Sequence, residues 1–105
     1  MAAVESLGEV DSPLGTLRCT LRAWESINTH FGSYGEAYRR VAQLDAAAIV
    51  RIVAEGTGKK FDDVKPEVFR AGLNGFVKPL TDYLELLSNG GKKAGDVEAD
   101  SRGEG

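Results

Sequence analysis

Cysteine and histidine are nearly absent: Cys19 and His30 are the only residues of their kinds in 105. One thiol closes no internal disulfide, and one Cys with one His falls short of the four ligands of a usual zinc site. A reducing compartment fits such a chain. An excess of basic residues is also missing. Thirteen Lys and Arg stand against sixteen Asp and Glu, giving a net charge of -3. Phosphate backbones are bound by clustered cations, so nucleic acid is not expected as the main partner. Arg18 and Arg22 on one strand face, Arg39-Arg40 and Lys59-Lys60 read as scattered, solvated spots. No apolar run approaches the roughly 20 residues of a membrane span. The opening MAAVESLGEV has neither the basic nor the apolar region of a secretory leader, so a cytosolic chain without a signal peptide is expected. No internal repeat is visible.

Catalytic patterns are equally sparse. Gly56-Thr57-Gly58-Lys59-Lys60 has the lysine of a phosphate-binding loop. It lacks the earlier glycine, has Lys60 where a hydroxyl belongs, and follows a helix instead of a strand. A helix end followed by a basic turn accounts for it. His30 has no nucleophile or metal partner suggested by the sequence. Asp45 and Asp62-Asp63 are explained by helix capping. No catalytic residue, cofactor or metal is therefore expected, and the chain is read as a non-enzyme.

What the sequence does have is a change of period. From Leu17 to Leu21 apolar residues alternate, with Leu17, Cys19 and Leu21 on one face and Arg18, Thr20 and Arg22 on the other, as on a pleated strand. From Ala23 the spacing turns helical, through Trp24, Ile27 and Phe31, and Gly32 suits a left-handed helix end. Val4 to Val10 is a weaker strand, and Asp11-Ser12-Pro13-Leu14-Gly15 is a turn between the two. Such a hairpin is marginal alone and needs helices to cover its apolar face.

Those helices follow. The spacing predicts helices over Ala23–Phe31, Tyr34–Val41 and Ala46 to about Glu55, the last capped by Asp45 and buried through Ile49, Ile52 and Val53. Phe61 to Pro66 reads as a loop in which Pro66 opens a helix running to about Ala71. Leu73, Phe76, Val77, Leu80, Tyr83, Leu84 and Leu87 form the clearest helical stripe. Pro79 either kinks that helix or lies in its first turn. From Gly90 the chain is polar, with Val97 its one branched apolar residue, and is expected to be disordered. The fold expected is α+β. One globular domain, 1–89, holds a hairpin over 4–22 and four or five short helices over 23–89, and a tail follows over 90–105.

Three ordered segments carry a resemblance: Gly8-Glu9-Val10, then Leu17-Arg18-Cys19-Thr20-Leu21, then Ala23-Trp24-Glu25-Ser26-Ile27-Asn28-Thr29-His30-Phe31-Gly32. With the helix and glycine turn of Ile49 to Gly58 and the helices of Pro66 to Ser88, the chain resembles the tail assembly chaperone-like proteins of siphophages and gene transfer agents. Asn28 stands where that pattern has Glu, and Cys19 where a larger apolar residue is common. The resemblance implies a non-enzymatic factor, acting in the cytoplasm of a bacterial host and absent from mature virions. It would hold the helix-rich tape measure protein in solution until the tail tube forms. The tail tube protein and a second copy of the chain are further candidate partners. Trp24, Ile27, Phe31, Leu80, Tyr83, Leu84 and Leu87 are the residues expected to pack or to meet a partner. The alternative is a structural tail component that stays in the virion. Chaperones of this kind are often made in two lengths by a frameshift, and Gly91-Lys92-Lys93 can be encoded by the kind of G-then-A run that slips.

Overall fold

The structure, a computed structural model, describes residues 8–91. Strand β1 (Glu9–Ser12) pairs antiparallel with β2 (Gly15–Arg18), Val10 opposite Leu17 and Ser12 opposite Gly15. The turn is therefore tighter than the five-residue stretch suggests: only Pro13 and Leu14 lie between the strands. Gly15, at φ 116°, takes a backbone angle that a side chain would resist. The Ser12 hydroxyl accepts the Leu14 N–H at 3.2 Å and donates to the Gly15 carbonyl at 2.7 Å. Val4 to Leu7, the first part of the expected strand, lie outside the described residues.

Five helices follow: α1 (Leu21–Phe31), α2 (Tyr34–Ala42), α3 (Ala46–Thr57), α4 (Phe61–Ala71) and α5 (Val77–Ser88), with a 3-10 turn over Leu73–Phe76. The α+β class is as expected. Polar caps and glycines place most boundaries. Ser33 and Asp45 accept the N–H groups of Glu36 and Ala48, and Gly32 and Gly58 end α1 and α3 in the left-handed conformation. Pro79 falls in the first turn of α5, where a missing N–H costs nothing.

Three boundaries differ from expectation. Helix α1 begins at Leu21, not Ala23, because the Thr20 hydroxyl accepts the Ala23 N–H at 3.0 Å and acts as its N-cap. Leu21 and Arg22 thus leave the strand, and Leu21 points outward. Helix α4 begins at Phe61, so Pro66 is inside it and not at its start. The bond lost is the one to the Asp62 carbonyl, and Asp62 is exposed, so water can replace it. Val64 and Val68, one turn apart and both buried, hold α4 on the core, while Asp62 and Asp63 suit the positive end of its dipole. Gly90 and Gly91 belong to the fold and not to the tail. Gly91 N–H bonds the Leu86 carbonyl and Gly90 N–H the Leu87 carbonyl, a Schellman end to α5. The rest of the expected tail, 92–105, lies outside the described residues.

Helix α3 is the centre. Ala48, Ile49, Val50, Ile52, Val53, Ala54 and Gly56 are all buried, so it is covered over most of its circumference. It meets β2, α1, α2, α4 and α5. The buried stripe is wider than Ile49, Ile52 and Val53 alone, and Val50 is inside it, not at its edge. The hairpin lies on α3 through β2 and on α5 through β1. Gly8 ties the ends together: its N–H donates to the Gly91 carbonyl at 2.7 Å, and its carbonyl accepts the Cys19 N–H at 3.3 Å.

Candidate functional site

The residues expected to pack or to meet a partner all lie among the described residues. Ile27, Leu80, Tyr83 and Leu84 have no exposed surface, and Leu87 has almost none. These five are core residues, so partner contact at their side chains is corrected to packing. The physical reason is the hairpin: a stripe on α5 that one helix pair would leave open is covered by β1, α2 and α3. Phe31 is half-buried, with the exposed His30 edge-on to it at 4.9 Å between ring centroids. Trp24 keeps 43% of its surface exposed, and its carbonyl accepts the Tyr34 hydroxyl at 3.0 Å.

Leu21 was assigned to the buried strand face, yet it is 68% exposed. One helical turn separates it from Trp24, so the two stand side by side on α1. Between them and the end of α5 is a depression of about 300 Å³, lined by Cys19, Thr20, Leu21, Trp24, Leu87 and the Gly90-Gly91 turn. Its floor is apolar and its two glycines bring backbone close to the surface. An apolar side chain could insert there, between an indole and a leucine. The N-cap hydroxyl of Thr20 is the signal that would have revealed Leu21 as a helix residue.

Cys19 forms part of the floor but is almost fully covered. Burial pushes its thiol up to about 11, from an ordinary 9.0. The thiolate is the reactive form. At about pH 8, ionisation alone should make iodoacetamide alkylation about a hundredfold slower in the folded protein than in urea. Mass spectrometry of quenched time points reads this rate. Folded and unfolded rates within about twofold of each other would mean that the depression opens down to the sulfur.

A second concavity, of about 520 Å³, lies between β2 and the joint of α3 with α4. It gathers Arg18, Arg22, Arg51, Lys59 and Lys60. The basic spots that looked scattered along the chain are thus drawn partly together by the fold, although Arg18 and Arg22 sit on different elements. The Gly56–Lys60 segment is the helix end it was expected to be: Gly58 N–H bonds the Ala54 carbonyl at 2.9 Å. Asp62 and Asp63 are exposed in the first turn of α4, and Asp45 caps α3. Among the described residues no group of three His, Cys, Asp or Glu could hold a metal ion, and no helix is long and apolar enough to cross a membrane.

The fold and these two surfaces define a small α+β domain with an apolar notch and a basic hollow. No model of a known protein family, no curated protein and no solved structure matches the chain.

Proposed function

We propose that the protein is a phage tail assembly chaperone that binds the tape measure protein and keeps it soluble while the tail tube forms. The observation that carries this reading is the apolar notch. Leu21 and Trp24, two large apolar side chains, stand exposed beside a depression that would accept a third. A helix-rich client presents such side chains at i, i+3 and i+4, and helix-in-groove contacts of this kind tolerate variation in sequence. The segments that resemble the tail assembly family support the same reading: Glu9 and Val10 open β1, and Ala23 to Gly32 covers most of α1 and its C-cap. The acidic balance of the chain favours solubility of a complex with an apolar client. Trp24 and Phe31 are the residues from the sequence reading that remain open to a partner.

The test is co-expression of the tagged chain with a siphophage tape measure protein, and recovery of the pair. Leu21→Glu combined with Trp24→Glu should lower recovery by about tenfold or more, because a buried Trp anchor alone is often worth about 2 kcal/mol at an interface. Both side chains are exposed, so thermal unfolding of the variant should stay close to that of the parent. Recovery of capsid or host proteins alone would rule the reading out. Presence of the chain in purified particles at ring stoichiometry would instead make it a tail component.

A further inference from the structure

We propose that the basic hollow between β2, the start of α1, the end of α3 and the start of α4 binds a phosphate-bearing small molecule. The inference is independent of the notch and of the tail-assembly reading.

Among the described residues about half of the cations are neutralised where they stand. Glu36 takes both Arg39 and Arg40, Arg40 also reaches Asp45 at 3.2 Å, and Lys78 meets Asp82 at 3.1 Å. The Arg39 and Arg40 guanidiniums hold the Glu36 carboxyl down at about 2. The hollow draws together cations with no ion pair or only a long one. Among the described residues no carboxylate lies within 4.0 Å of Arg18, Arg22 or Lys60. Lys59 reaches Glu67 only at 3.7 Å, and Arg51 reaches Glu55 only at 3.9 Å. Arg51 lines the hollow, and its Nε is buried with no hydrogen-bond partner. Such a donor is costly to leave unmade.

One carboxylate, Glu55, stands among these five cations, and it already accepts the Ser26 hydroxyl at 2.7 Å. A concave wall where cations outnumber carboxylates five to one favours an incoming anion. Backbone adds to this. Helix α4 has no side-chain cap, since Lys60 at its N-cap position offers no acceptor, so its first two amides are open, with the exposed carboxylates of Asp62 and Asp63 in the same turn. The Arg51 guanidinium stacks on Phe61 with its carbon 4.7 Å from the ring centroid, which fixes its fork in place.

The shape decides between anions. A volume of about 520 Å³ is that of a site for one compact ligand, not of a running groove for an extended acidic peptide. Guanidinium forks with open amides suit a tetrahedral oxyanion. A net charge of -3 disfavours a long nucleic acid, whose many phosphates would meet the acidic remainder of the surface.

The test is a titration of the full chain with sodium pyrophosphate and then ADP, followed by ¹⁵N–¹H correlation spectra at low and at physiological ionic strength. Saturable shifts are expected at the amides of Thr20, Gly58, Lys60 and Phe61, weakening as salt is raised. Arg22→Glu with Lys60→Glu should raise the Kd by about tenfold or more, because each phosphate contact is a hydrogen bond to a charged group. Arg70→Glu with Lys78→Glu makes the same change in net charge outside the hollow and should leave the Kd within about twofold. The spectra themselves show whether each variant is folded, and Arg18→Gln offers a milder substitution at the same wall. Three results would each overturn the proposal: no saturable shift at these amides, equal weakening by both double variants, or saturation by a poly-glutamate peptide or an oligonucleotide but not by pyrophosphate.

Discussion

Replacing Tyr83 by alanine is expected to cost about 3–5 kcal/mol, the range seen when a large aromatic is removed from a closed core. Small domains are stable by only about 5–15 kcal/mol, so the loss would take much of the total. Tyr83 is the largest fully buried side chain among the described residues. Its ring lies against Gly56 of α3, and its hydroxyl donates to the Arg18 carbonyl at 2.6 Å. One residue of α5 thus touches the central helix and closes the end of β2, which is 65 residues away in the chain. Burial also pushes its phenol well up, so it stays a donor at any pH near neutrality. Tyr83→Phe separates the two roles. It keeps the ring and leaves the Arg18 carbonyl without its partner, for an expected loss of about 1–2 kcal/mol. Urea unfolding followed by far-UV circular dichroism measures both. A Tyr83→Ala unfolding free energy within about 1 kcal/mol of the parent would mean that the hairpin is not held through α5.

Tyr83 also shows how far the fold could be read in the sequence. Its position in a helical stripe with Leu80, Leu84 and Leu87 was plain, as were the caps at Gly32 and Asp45 and a helix end within Gly56 to Gly58. These are local signals, fixed by periodicity and by single residues. What that stripe would face was not local. Whether Leu80, Tyr83, Leu84 and Leu87 meet the core or a partner depends on where the hairpin lands, and the sequence has no short-range mark of that. The two misplaced helix starts have the same origin. At Leu21 the alternation of Leu17, Cys19 and Leu21 ran two residues into a helix by coincidence, and the cap at Thr20 decided otherwise. At Pro66 the preference for a proline in the first turn lost to the burial of Val64 and Val68.

The two surfaces were legible to different degrees. Trp24 was visible as a large aromatic on a helix, and half of the notch follows from it. Its neighbour Leu21 was hidden by the strand assignment. The basic hollow was not visible at all, although each of its members was. Arg18, Arg22, Arg51, Lys59 and Lys60 come from four places in the chain. They meet because α3 carries Arg51 and the Gly58 turn back to the end of the hairpin, where Arg18 and the start of α1 already lie. The Gly56–Lys60 segment is no phosphate loop by spacing, yet its lysines end up in a hollow of a size that phosphates could use.

That same crossing of α3 and β2 makes Gly56→Val the second large effect. In an exposed helix a glycine is worse than alanine by about 1 kcal/mol, so filling the position would ordinarily help. Here a Cβ on Gly56 would stand 2.9 Å from Leu17 Cδ2, 3.0 Å from Leu17 Cβ and 3.2 Å from Tyr83 Cζ. Rotating Leu17 could move its Cδ2 away. Its Cβ is fixed to the backbone of β2 and cannot yield without the strand lifting from α3. Tyr83 is held by its bond to Arg18 in the same strand, so the three groups must move together. Alanine should therefore lose about 1–2 kcal/mol after the gain in helix propensity, and valine, with two further methyl groups, about 3 kcal/mol. Because Arg18 follows Leu17, lifting the strand should also displace one wall of the hollow. Chemical denaturation gives the stability, and pyrophosphate titration of Gly56→Ala gives the coupling. A Gly56→Ala protein more stable than the parent would show that β2 is free to separate from α3, and that the hollow is not held by this contact.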